Sequence, residues 1–255
     1  MAELQTIQLS SIRGYTDYLA DDNTLDTVLF RGQSNDSPLI PRIGRIQVDR
    51  PLLDAEKAIL DMFKQQSLPY LDRMPTNEWE WLAVAQHHGL PTRLLDWTLN
   101  PLIALWFAVE RQPSGQQNGV VWVFKPSASD FVNVIRDVPF SEGRTKVFRP
   151  SHITERIRVQ AGYFTVHKYM KLQRRFVPLE TMRAYKSRLV KLFVPSSAFA
   201  DLRYRLDQYG VNKSTVFPGL DGLSGHIEWL HSVLGDEMHL RRDVATASWR
   251  LSNSP

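Results

Sequence analysis

The chain has 255 residues, 43% of them hydrophobic, with seven tryptophans and twelve phenylalanines. That is enough apolar surface for a folded core, which sets intrinsic disorder aside. The absence of cysteine excludes disulfides, thiolate nucleophiles and cysteine metal sites, and a net charge of +4 permits an anionic partner without requiring one.

The first residues, "MAELQTIQLSSIRGYTDY", carry no basic segment followed by an apolar one, so a secretory signal is not expected. The longest apolar run, near "PLIALWFAV", is too short to span a bilayer. The expectation is a soluble, cytoplasmic protein with no membrane partner. Ser10 or Ser11 caps a helix over Ile12 to Leu19, and a strand follows over Thr27 to Phe30. That strand ends in Arg31-Gly32-Gln33-Ser34, which sets an arginine and a glycine at its tip. Pro38 and Pro41 forbid a helix interior in the next stretch. Apolar residues at helical spacing predict a helix over Leu52 to Gln66.

Asn77 with Glu80 is a capping-box pattern ahead of a helix over Glu78 to His87, which Gly89 and Pro91 stop. "TRLLDW", Thr92 to Trp97, reads as a strand. Asn100 then caps a buried helix that begins at Pro101. The turn Gly115 to Gly119 leads into a strand over Val120 to Phe124. The stretch Pro126 to Pro150 is polar and irregular, an insertion or a lid. A short helix over Ile153 to Ile157, a strand with a glycine bulge over Arg158 to His167 and a strand over Ser187 to Pro195 come next. A helix capped by Ser196 or Ser197 runs to Tyr209, where Gly210 ends it, and a last helix spans Asp221 to Leu234. Strands and helices mix without βαβ alternation, so the fold class is α+β. Residues 1–235 form one domain and 236–255 a charged tail.

Four stretches carry chemistry. In the first, Arg31 offers a donor fork for phosphate or carboxylate, Gly32 lets a ligand approach the backbone, and Gln33 and Ser34 add neutral donors. The alternative is an arginine paired with a core carboxylate beside a turn glycine. In the second, Asp96 and Thr98 share one strand face and Arg93 the other, so Asp96 suits either Arg31 or a ligand hydroxyl. His87 and His88 lack metal-ligand spacing, and no metal site is expected. In the third, Gln160 either bonds a ribose or pairs with backbone. The fourth, Lys168 to Lys191, carries Lys171, Arg174 and Arg175 among its cations, with Tyr169, Phe176 and Tyr185 interleaved. It is either a nucleic-acid footprint or a solvated face.

"LFRGQS", "QHHGLPTRLLDWTLNPLIALWFA", "QAGYFTVHK" and "GVNKSTVFPGLDGLSGHI", in this order between about Leu25 and Ile227, resemble the FRG domain family, whose Phe-Arg-Gly motif is Phe30, Arg31 and Gly32. A weaker resemblance is to the ADP-ribosyltransferase superfamily, which opens on a strand ending in Arg-Gly and continues into a block that "LLDWTLNPLIALWFA" is similar to. It implies a mixed sheet core with surrounding helices and NAD as substrate. It assigns Arg31 to NAD phosphate or ribose, and Thr98 or Asp96 to the nicotinamide pocket. The superfamily's catalytic glutamate falls where this chain has Gln160, which cannot supply a negative charge, so Glu155 or Asp96 substitutes or no transfer occurs. The expected function is an ADP-ribosyltransferase-like effector that transfers ADP-ribose or cleaves NAD, in a bacterial or phage conflict setting. The alternative is a non-catalytic nucleotide- or nucleic-acid-binding module.

Overall fold

The computed structural model describes residues 4–21, 27–140, 143–150 and 159–238. Its centre is a seven-stranded sheet. In chain order the strands are β1 (Gln5–Gln8), β2 (Leu29–Gln33), β3 (Leu94–Thr98), β4 (Gly119–Phe124), β5 (Lys146–Phe148), β6 (Gly162–Val166) and β9 (Leu189–Val194). The order across the sheet is β1-β9-β4-β2-β3-β6-β5, and β7 (Tyr169–Met170) and β8 (Arg175–Phe176) form a separate two-stranded hairpin. Among the described strands of this sheet, β1 and β9 pair parallel and the other pairs are antiparallel. The protein is thus a mixed α and β fold without the crossovers of a doubly wound sheet.

Eight α-helices lie among the described residues: α1 (Ile12–Ala20), α2 (Leu52–Ser67), α3 (Glu78–His87), α4 (Pro101–Val109), α5 (Arg183–Lys186), α6 (Phe199–Gln208), α7 (Lys213–Val216) and α8 (Leu220–His231). Local caps start several of them. The Ser11 hydroxyl accepts from the Gly14 N–H, Asn77 from Glu80, and Asn100 from Leu102 and Ile103. The expected capping box at Asn77 is only half formed. The Glu80 carboxylate reaches instead to the backbone N–H (2.8 Å) and the hydroxyl (3.1 Å) of Thr76.

Both sheet faces are buried. On one face Phe30, Val121, Val123 and Leu192 pack under α4 and α6 with Trp106 and Phe199. On the other, Leu29, Trp97, Trp122 and Phe124 join Tyr185. A third cluster seats α2 and α3 on the sheet through Leu60, Trp79, Leu82, Phe148 and Phe164.

Several expectations are corrected. The arginine does not stand at a strand tip: β2 runs Leu29–Gln33, because its backbone keeps pairing with β4 from Leu29↔Phe124 through Gln33↔Val120. The strand expected over Arg158 to His167 begins only at Gly162, and Gln160 lies in the turn ahead of it, next to Ala161 with φ 45°. The Pro126 to Pro150 stretch is part of the body, not a lid. It supplies β5, buries Asp130, and is tied to α3 by the Trp79 indole donating to the Asp137 carbonyl. Ser196 and Ser197 fall in a 3-10 turn before α6, and β1 and α7 had no counterpart in the expectation. The helix expected over Ile153 to Ile157 and most of the tail lie outside the described residues.

Candidate functional site

β2 and β3 meet at one pair only, Phe30↔Thr98, although β2 pairs with β4 and β3 with β6 along their whole lengths. Beyond that pair the two central strands part, and a cavity of about 310 Å³ opens at the gap. Arg31 and Gly32 reach it from β2, Asp96 and Thr98 from β3, and Gln160 from the turn before β6. The last turn of α3 adds Gln86 and His87, and α4 adds Phe107.

The Arg31 side chain crosses the gap. Its Nη1 donates to the main-chain carbonyl of Asp96 at 2.8 Å and lies 3.7 Å from the Asp96 carboxylate. The guanidinium is largely buried (16% exposed) whereas the carboxylate is 58% exposed. Burial pulls the Arg31 pKa below its usual value, Asp96 opposes that shift, and Arg45 adds to it. Nε of Arg31 is buried without a partner among the described residues.

The Asp96 carboxylate is held from its other side. The Gln86 amide donates to both of its oxygens, at 3.3 and 3.1 Å. The Thr92 hydroxyl donates to the Gln86 carbonyl oxygen at 2.6 Å, which turns the amide nitrogen toward Asp96. The outcome is an oriented anion, open to solvent, beside a buried cation.

The other expected residues have different work. Gly32 does line the cavity, but its main constraint is packing: a Cβ there would lie 1.7 Å from the Ala104 carbonyl oxygen of α4. The Thr98 hydroxyl is occupied twice, donating to the Gln160 carbonyl (2.5 Å) and accepting from the Asn100 N–H (2.9 Å). The Gln160 amide donates to the Val216 carbonyl at 3.0 Å. Thr98 and Gln160 therefore brace the cavity wall. Gln33 donates to the Ser37 carbonyl (3.1 Å), and neither Gln33 nor Ser34 lines the cavity. Glu155 lies outside the described residues.

Behind the gap, His167 is buried and bonds Thr165, which also accepts from the Trp97 indole. Burial, then the nearby Arg31 and Arg93 charges, lower the His167 pKa to about 3, so this imidazole is neutral and adds no charge to the site.

Lys171, Arg174 and Arg175 sit on the β7–β8 hairpin, away from this cavity, and Arg174 takes a left-handed conformation at its tip. Two of the rings expected to stack on bases are buried. Phe176 packs edge-on against Tyr169, and the Tyr185 hydroxyl donates to the Thr145 carbonyl. No helix among the described residues is long and apolar enough to cross a membrane.

Sequence reasoning did not find Gln86. The available signal was its place one turn before the Gly89 stop, where a helix ends beside a strand that carries an aspartate. No curated protein and no solved structure matches the chain. A family model does match, and its segment holds both charged partners of the cavity together with Gln86: residues 26–117 match the model of the FRG domain.

Proposed function

We propose that the Arg31–Asp96 cavity binds NAD or a related nucleotide and that the chain cleaves NAD at the bond between nicotinamide and ribose, passing ADP-ribose to a macromolecule or to water. The observation that carries this reading is the pairing of a largely buried guanidinium with a 58% exposed, amide-oriented carboxylate across one gap. A buried arginine with an unpartnered Nε suits a phosphate or ribose oxygen. An oriented carboxylate suits the positive charge that develops on the ribose as nicotinamide leaves. Gln160, whose amide is engaged with Val216, does not supply that charge; Asp96 takes the role. At about 310 Å³ the cavity is at the small end of ligand sites, roughly 300–1,000 Å³, so it holds one half of the dinucleotide and the other half extends outward.

The test is incubation with NAD labelled in both halves, scoring free nicotinamide and labelled macromolecule. Asp96→Asn keeps the shape of the site and one oxygen to accept from the Gln86 amide but removes the charge. It should lower turnover by about a hundredfold or more while leaving NAD binding within a few-fold. Turnover in Asp96→Asn equal to wild type would remove the carboxylate from the mechanism. Neither turnover nor binding in the wild type would end the NAD reading.

A further inference from the structure

The cations of the Lys168 to Lys191 stretch are not equivalent. Arg188 is tied to buried Asp130, and Lys191 to Asp36. Lys168, Arg175 and Arg183 instead converge on a second cavity, about 400 Å³, between the β7–β8 hairpin and α5. No carboxylate among the described residues pairs with any of these three. Arg144, also at the rim, pairs with Asp130 at 3.2 Å, a carboxylate it shares with Arg188. The floor between the cations is apolar: Met170, Val177 and Met182, each partly exposed. Met170 and Arg175 are cross-strand partners, so one floor residue and one rim cation are fixed relative to each other by the hairpin.

We propose that this groove docks an acidic peptide segment that inserts one apolar side chain between the three free cations. Thioether side chains adapt to apolar groups of differing shape, which suits a peptide anchor. Three unpaired cations around an apolar floor call for carboxylates flanking that anchor. A nucleic acid is less well served. Base stacking needs an exposed ring in the groove; Phe176 and Tyr185 are buried, and the partly exposed Tyr169 does not line it. The groove is separate from the Arg31–Asp96 cavity, so it stands whether or not that cavity binds NAD.

The test uses the full chain and fluorescence anisotropy with a labelled peptide carrying Asp and Glu on both sides of a single leucine. A peptide with serine at the leucine position, a neutral leucine peptide and an oligothymidine are run beside it. The acidic leucine peptide should bind, with affinity falling as salt rises. Arg175→Glu and Arg183→Glu, both at exposed positions, should each weaken it about tenfold or more with unchanged melting temperature. Serine in place of leucine should also weaken it about tenfold or more. Three outcomes would overturn the proposal: no binding by the acidic peptide, equal binding of the leucine and serine peptides, or binding of the oligothymidine alone with loss on the same charge reversals.

Discussion

Two arginines on neighbouring segments of the sheet sit in opposite physical regimes. Arg93 and Glu56 are each 2% exposed, joined by two hydrogen bonds of 2.9 and 2.6 Å, and Phe140 lies 4.5 Å from the guanidinium. Removing one partner of such a pair leaves a charge without water or counter-ion, so Glu56→Gln should cost about 3–5 kcal/mol. Arg31→Ala is different. It strands a carboxylate that is 58% exposed and still bonded by Gln86, so water takes up the released charge. The expected cost is about 1 kcal/mol, with loss of nucleotide binding. Urea denaturation of both variants, with nucleotide binding measured on the folded proteins, separates the two roles. A loss of stability in Arg31→Ala as large as that in Glu56→Gln would make Arg31 a structural residue.

At the scale of elements, the close approach of α4 to β2 depends on Gly32. A methyl group there would lie 1.7 Å from the Ala104 carbonyl and 2.9 Å from the Ala108 nitrogen, both backbone atoms that no side-chain rotation can move. Gly32→Ala must therefore shift the helix, at a cost of about 3 kcal/mol or more, read as a lower denaturation midpoint. An unchanged midpoint would show that α4 floats on the sheet. The long elements were legible in the sequence because their signals are local: Ser11, Asn77 and Asn100 cap their helices wherever the rest of the chain goes. The reach of β2 was not, because arginine and glycine are weak strand formers and only pairing with β4 keeps them extended. Gln160 failed for the same kind of reason. The loose alternation around it reads as a strand, yet it lies in a turn that brings its amide to Val216, far along the chain. Arg31 and Asp96 were legible as a pair, since each follows an apolar strand run. Gln86 and Glu56 were not, because their partners are chosen by the packing of helices on the sheet.

In the whole molecule, the sheet consists of two well-paired halves joined at Phe30↔Thr98. A sheet opened at its centre would ordinarily be a hinge. Here α4 spans the opening: it follows β3 directly through the Asn100 cap and lies against β2, the strand on the far side. The gap is then a preformed opening, and across it the Arg31 guanidinium, not a strand N–H, donates to the Asp96 carbonyl. Hydrogen exchange followed residue by residue should show this. Those amides of Arg31, Gly32, Asp96 and Trp97 that point into the gap should exchange far faster than those of β4, which is paired on both sides by β2 and β9. Added NAD should slow the gap-facing amides and leave β4 and β9 as they were, because a ligand in a rigid opening shields its walls without reordering the sheet. Uniformly slow exchange in the free protein would mean that the gap is closed in solution. Slowing that spreads through the whole sheet would mean that the two halves move against each other and that α4 does not hold them.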